Sequence, residues 1–293
     1  MHRDGASISQ EDVTKAFTQI RPAALSLSPA LRFKAVDADY DLVDALGRGA
    51  VAQVWKCLRI RDRLNFAVKI VDPRADLLDP STLNNVKHRF SREAQNGRKL
   101  SHPHIVPYVD HGKYEHHDFL VMELADESLA ARIVRAPLSV ADAIGVVRDC
   151  TAGIKHLHDE GCVHRDVKPH NILRFGSRYV LGDLGIVKWS DMNPAFTSAG
   201  TITKAAVQLG SWYYMAPEQR VAPHEATAAS DIYALGVSWY EMLTGQTLDP
   251  SFVAAKAFPD PSSDSTTNAL IREMVEFDQS KRPTAADVSR GIA

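Results

Sequence analysis

A chain of 293 residues with 34 Lys plus Arg against 36 Asp plus Glu carries a formal charge of −2, which argues against a nucleic-acid binder working by bulk charge. At 45% hydrophobic and 24% charged residues it has ordinary globular composition and enough length for a substantial core in one large domain or two lobes, which excludes disorder and collagen-like structure. Its three cysteines, Cys57, Cys150 and Cys162, show no CxxC spacing, so neither a disulfide framework nor a cysteine zinc site is expected, and a reducing cytoplasm is the natural compartment. The opening MHRDGASISQEDV is polar where a signal peptide needs an apolar core, and no stretch approaches about 18 uninterrupted apolar residues, so neither secretion nor a membrane span is expected.

Residues 1–38 read as an N-terminal extension, with a short helix over 10–20 and then an irregular lead-in between Pro22 and Pro29. From Tyr40 the segments LVDAL, VAQVWKCLRI and LNFAVKIV are rich in β-branched and aromatic residues and predict an antiparallel meander. Over 82–100, Leu83, Val86, Phe90, Ala94 and Leu100 share one helical face, and SHPHIV ends the helix. Strands near 106–113 and 118–123 follow. Beyond Leu124 the pattern turns helical. Ser139 and Asp142 form a capping box, Ile144, Val147, Ile154 and Leu157 the apolar face, and Gly161 the stop. A second apolar helix spans 230–243, a Pro/Ser/Asp-rich loop occupies 257–267, and there are no repeats. The expected fold class is α+β and bilobal. A small antiparallel-sheet lobe with one helix (39–124) precedes a larger, mainly helical lobe (125–293).

Between the first two strands lies Gly47-Arg48-Gly49-Ala50-Val51-Ala52-Gln53-Val54. Glycines there let backbone amides approach a phosphate, though a plain hairpin turn fits the same residues. A dinucleotide fingerprint needs this turn to open a helix, and residues 52–59 read as a strand. Lys69 sits alone in the apolar run Ala67-Val68-Lys69-Ile70 and needs an anionic partner if buried. Glu93, beside Phe90 and Ala94, is the candidate. The strongest signal is His164-Arg165-Asp166-Val167-Lys168-Pro169-His170-Asn171 followed by Asp183-Leu184-Gly185. This resembles the catalytic loop and the metal-binding turn of the eukaryotic-type serine/threonine protein kinase family. The likeness continues through Met215-Ala216-Pro217-Glu218, Asp231 and Arg282, covers roughly residues 40–290, and is nearest in texture to bacterial members.

The resemblance implies ATP and Mg²⁺ as cofactors and Ser or Thr hydroxyls of proteins as acceptors. It implies that Lys69, steered by Glu93, contacts the α- and β-phosphates, that Asp183 and Asn171 hold Mg²⁺, that Asp166 takes or orients the acceptor proton, and that Lys168 steadies the γ-phosphate. Leu46, Gly47, Gly49, Val54 and Ala67 would cover the nucleotide and Leu173 underlie it. Backbone at Glu123 and Ala125, after the gatekeeper Met122, would read the adenine edge. Arg165 beside Asp166 implies activation by loop phosphorylation, with Thr203 the first candidate and Thr201 the second. Asp166 and Lys168 two residues apart match the Ser/Thr-specific pattern.

Three departures bear on activity. Ala52 replaces the third loop glycine, Leu184 replaces the usual Phe, and Gly97 supplies no side chain where many members stack an apolar one. A mid-helix Gly costs about 1 kcal/mol relative to Ala, so the helix carrying Glu93 is expected to be loosely held. A binding or scaffolding pseudokinase and a small-molecule phosphotransferase are the alternatives. His116 and His117 have no ligand spacing and read as surface or structural residues, and the four Trp as packing.

Overall fold

The computed structural model describes residues 27–48, 52–72, 90, 100–115, 117–184, 188–189, 211–222 and 225–293. Period-two alternation builds the first lobe. Strands β1 (Arg32–Lys34), β2 (Asp39–Arg48), β3 (Ala52–Arg59), β4 (Asn65–Val71), β5 (Tyr108–Tyr114) and β6 (His117–Glu123) form one antiparallel sheet in the order β1-β2-β3-β4-β6-β5. On β4 and β6 the alternation divides the residues cleanly. Val68, Ile70, Phe119 and Val121 join Tyr40, Leu42, Trp55 and Cys57 in a core on the outer face. Ala67, Val71, Leu120 and Met122 face the other way, into a core continuous with the second lobe. Lys69 lies in that inward row.

The end of the 1–38 segment takes part in the sheet, with Phe33 and its neighbours paired to β2 in the register Arg32↔Asp41, Phe33↔Tyr40 and Lys34↔Asp39. Three residues are too few to show alternation in sequence, yet Phe33 fills the outer core. Its ring lies 5.5 Å from Tyr40 and 4.8 Å from Phe119. The turn after β1 then reaches β5 at the far end of the sheet order. Val36 N donates to His111 O at 2.9 Å, and Asp37 N (3.1 Å) and the Tyr40 hydroxyl (3.3 Å) donate to the buried Asp110 carboxylate. Burial first, and then the Asp110 charge, push the Tyr40 phenol up to about 12. The proposed 10–20 helix and all of the 82–100 helix except Phe90 and Leu100 lie outside the described residues; Phe90 is helical, and both side chains are buried.

The second lobe begins with β7 (Glu127–Ser128), α1 (Leu129–Arg135) and α2 (Val140–Asp159). Ser139 caps α2, its Oγ accepting from Asp142 N at 3.1 Å, and Gly161 (φ 68) takes the left-handed turn beyond its end. Val146, Val147, Cys150, Ile154 and Leu157 are buried, whereas Ile144, expected on that face, is half-buried at its margin. At Gly153 a Cβ would fall 2.6 Å from His104 O, so the helix approaches the chain entering β5 as closely as a backbone allows. Next come β8 (Cys162–Val163), the hairpin of β9 (Ile172–Phe175) and β10 (Arg178–Leu181), and β11 (Lys188–Trp189), which pairs with β8. α3 (Pro217–Val221), α4 (Ala228–Thr244), α5 (Pro250–Ala254), α6 (Ser265–Met274) and α7 (Ala285–Gly291) complete the lobe.

α4 is buried nearly all round, from Ile232 and Tyr233 through Leu235, Val237, Trp239 and Met242, as befits the central helix of a lobe. Each large apolar side chain so buried contributes about 1.5–3 kcal/mol. The 257–267 loop is shorter than its composition suggests, because Asp264 caps α6 by accepting from Thr267 N at 2.9 Å. Polar residues that look like loop in sequence thus form a first helical turn.

Candidate active site

The inward row of the sheet meets the second lobe at Lys69, whose Nζ lies 2.6 Å from Asp183 Oδ1. A lysine in an apolar strand needs such a partner, and this one arrives from 114 residues away. Lys69 pairs across the sheet with Val54 on one side and Leu120 on the other. Val54 and Leu173 both pack against the inner core, and Ala67 belongs to it. Leu46 is half exposed. Met122 is buried, and the following Glu123 amide donates to Pro107 O at 3.2 Å; Ala125 is half-buried. Of the nucleotide-covering turn, Gly47 is described and Gly49 lies outside the described residues, as do Glu93, Thr201 and Thr203.

The loop between β8 and β9 is hung from α4 by one carboxylate. Asp231, fully buried, accepts from His164 N (2.8 Å) and Arg165 N (2.7 Å), with His158 Nε2 at 2.9 Å. His164 Nε2 lies 3.0 Å from Gly182 O, so the same loop grips the residue before Asp183. Arg165 (φ 72) and Asp183 (φ 57) are left-handed non-glycine residues. Such backbone costs of order 1–3 kcal/mol each and persists where surrounding bonds over-determine it, as those to Asp231 do here. Between them, Asp166 Oδ2 accepts from Lys168 Nζ at 2.7 Å and from Asn171 Nδ2 at 2.9 Å. Asn171 Nδ2 also donates to Asp166 O at 2.8 Å, and Gly182 N donates to Asn171 O at 2.8 Å. The structure therefore brings Asp166, Lys168, Asn171, Asp183 and Lys69 to one cleft.

The two carboxylates of this cleft are pushed apart. Burial, helped by the negative charge of Asp183, raises the Asp166 pKa although Lys168 opposes it. Burial pushes Asp183 the same way, but the charge and hydrogen bond of Lys69 outweigh it and hold Asp183 at about 2. One carboxylate is thus held ionised while its neighbour's affinity for a proton is raised, a split of the kind that separates an ion-holding group from a proton acceptor. The Asp183 carboxylate and the Asn171 carboxamide both offer hard oxygen donors, which fit Mg²⁺ and suit soft metals poorly. Among the described residues no group of three or more His, Cys, Asp or Glu side chains is placed to hold a metal ion.

Several supporting residues were not singled out in the sequence. The buried Tyr108 hydroxyl accepts from Leu184 N at 3.3 Å, fixing the chain just past Asp183. Gln219 Nε2 donates to Arg165 O at 3.2 Å while its Oε1 accepts from Ala216 N at 3.1 Å, tying α3 to the loop. His158 supports Asp231, and Tyr214 donates to Glu241. Apart from the local Gln219–Ala216 bond, their partners lie tens of residues away, and no short-range pattern announces them. Glu218 and Arg282, read from the sequence, form a two-pronged ion pair at 2.7 and 2.9 Å.

The family described as "Protein kinase domain" matches residues 40–290. Similar curated proteins include serine/threonine-protein kinase PknB of Mycobacterium leprae, 36% identical over 222 residues, covering 73% of this chain and 33% of that protein. Serine/threonine-protein kinase PrkC of Bacillus subtilis is 34% identical over 216 residues, covering 73% of this chain and 31% of that protein. The chain thus spans about a third of the length of these relatives. Among solved structures, a point mutant of the Mycobacterium tuberculosis PknI kinase domain superposes with a TM-score of 0.67 at 21% identity, over 92% of this chain and 98% of that one.

Proposed function

The chain belongs to the protein kinase family, and on that premise we propose that it transfers the γ-phosphoryl group of ATP to Ser or Thr hydroxyls of proteins. The observation that carries this reading is the convergence of Lys69 on Asp183 beside the Asp166–Lys168–Asn171 cluster. Phosphoryl transfer needs little covalent help, so positioning and charge neutralisation dominate. Leu46, Gly47, Gly49, Val54 and Ala67 cover the nucleotide from above, Leu173 supports the adenine, and Glu123 and Ala125 backbone reads its edge. Lys69, steered by Glu93, binds the α- and β-phosphates. Asp183 and Asn171 hold Mg²⁺, which when bound neutralises charge on the phosphates. Asp166, with its raised affinity for protons, accepts or orients the hydroxyl proton, and Lys168 steadies the γ-phosphate while keeping Asp166 in place.

Glu218 and Arg282 support a protein acceptor, since they tie α3, which directly follows the Ser211–Tyr214 turn, to the C-terminal part of the lobe as a platform. Arg165, held in its left-handed turn, is proposed to pair with phosphate on Thr203 or Thr201 and so make activity depend on autophosphorylation. Residues 39–293, together with β1, are proposed as the kinase unit. Three buried free thiols suit a cytoplasmic setting, and no described helix is long and apolar enough to cross a membrane. ATP consumption measured with no acceptor, with a generic basic protein and with small-molecule alcohols tests the reading. Consumption stimulated by the protein alone is expected. Stimulation only by the small molecule, or none, would refute it.

A further inference from the structure

The facing ends of β2 and β3 are fastened by a buried carboxylate that has no part in the catalytic set. Asp72 follows the end of β4, three residues beyond Lys69, and is almost fully buried. Its Oδ2 accepts from Arg48 Nη2 at 2.9 Å and from Gln53 Nε2 at 2.6 Å. Arg48 and Gln53 are register partners on β2 and β3, the last pair before the glycine stretch of the sequence. Gln53, itself buried, is aligned by Trp55, whose Nε1 donates to Gln53 Oε1 at 3.2 Å. His117 Nε2 stands 3.9 Å from the other Asp72 oxygen. Gln53 and Trp55 project from the outer face of the sheet, opposite Val54, so the cluster sits above the hairpin and leaves the nucleotide face clear.

We propose that Asp72, acting through Arg48 and Gln53, is a positioning residue that holds the facing ends of β2 and β3, with Leu46, Gly47 and Val54, in place against the strand of Lys69. One carboxylate joins the ends of β2 and β3 to the strand that carries the lysine, so those ends and the lysine are held as one body. Arg48 is half exposed, so removing its side chain leaves the fold standing and frees the end of β2 from Asp72. The consequence falls on nucleotide binding, because the groups that perform transfer hang from the other lobe.

This inference rests on the kinase reading, and its test separates the two. Kinetics in ATP and titration of a non-hydrolysable ATP analogue are measured on wild type, Arg48→Ala, Arg48→Lys and Asp72→Asn, with the melting temperature of each. Arg48→Ala is expected to raise KM for ATP roughly three- to tenfold, the size of one partly exposed charge-assisted hydrogen bond. Analogue affinity should weaken in parallel, and kcat at saturating ATP should fall far less. Arg48→Lys should recover part of the loss, and Asp72→Asn should match Arg48→Ala. Unchanged KM and analogue affinity in Arg48→Ala, or equal losses in kcat and kcat/KM, would overturn the positioning role while leaving the kinase reading intact. A wild-type protein that neither binds nor consumes ATP would overturn both.

Discussion

The Glu218–Arg282 pair gives the sharpest energetic prediction. The Arg282 side chain is fully buried and Glu218 nearly so. Besides its two bonds to Glu218, the guanidinium donates to Glu276 O (2.7 Å), Ala229 O (3.1 Å) and Phe277 O (3.2 Å), and it lies 5.0 Å from the Tyr233 ring centre. Arg282→Ala removes all of these and strands a carboxylate whose remaining side-chain partner is the Ser230 hydroxyl at 2.7 Å. Breaking one side of such a buried pair costs about 3–5 kcal/mol. At about 2–4 °C of Tm per kcal/mol for domains of 150–250 residues, the fall should be roughly 10 °C. Glu218→Ala should cost less, because the guanidinium keeps three carbonyl acceptors. A double-mutant cycle followed by thermal and urea denaturation is the assay, and the double variant should be destabilised by little more than Arg282→Ala alone. Strict additivity would refute the contact. The pH dependence has a definite sign. Burial pushes the Glu218 pKa up, but the bonds from Arg282 and Ser230 outweigh it and lower it. Its contribution is therefore fully present above the ordinary Glu value and is lost as pH falls through the depressed one. In Arg282→Ala that acid-side loss should shrink.

Asp166→Asn should cut kcat about 10²–10⁴-fold with little change in nucleotide affinity. In wild type the raised Asp166 pKa should place the acid limb of kcat/KM above the ordinary Asp range, and a limb at or below that range would contradict its role as proton acceptor. Asp183→Ala should weaken nucleotide binding in Mg²⁺ far more than in its absence, and calorimetric titrations showing equal loss in both would count against the metal assignment. Phosphatase-treated protein should regain activity on incubation with ATP. Thr203→Ala should blunt that recovery most and Thr201→Ala next, while Arg165→Ala should abolish the benefit without abolishing basal transfer. Equal rates for treated and autophosphorylated enzyme would rule out loop phosphorylation as the switch.

The sheet and the helical lobe were legible because alternation and helical periodicity are local. The catalytic loop was legible because Asp166, Lys168 and Asn171 sit within six residues, and their mutual bonds follow from that spacing. What stayed hidden depends on distant partners or on very short elements. Nothing around Asp110 in sequence says that Asp37 and Tyr40 will meet it 70 or more residues away. Tyr108 looks like an ordinary strand residue until Leu184 N arrives. Phe33 sits in a three-residue strand whose pattern is too brief to read, and the first turn of α6 is composed like a loop because its stability comes from the Asp264 cap. Asp72 follows a strand end where an acid reads as solvent-facing, and only the return of the hairpin turns it into a buried anchor.

The central claim is that this cleft moves phosphate from ATP onto Ser or Thr hydroxyls. Its most direct test is mass spectrometry of dephosphorylated protein incubated with ATP, Mg²⁺ and a generic protein acceptor, beside Asp166→Asn treated identically. New phosphoserine or phosphothreonine is expected on the acceptor or on the enzyme with wild type, and almost none with Asp166→Asn. Binding of ATP without any phosphoester formed by wild type, or equal phosphorylation by both proteins, would contradict it.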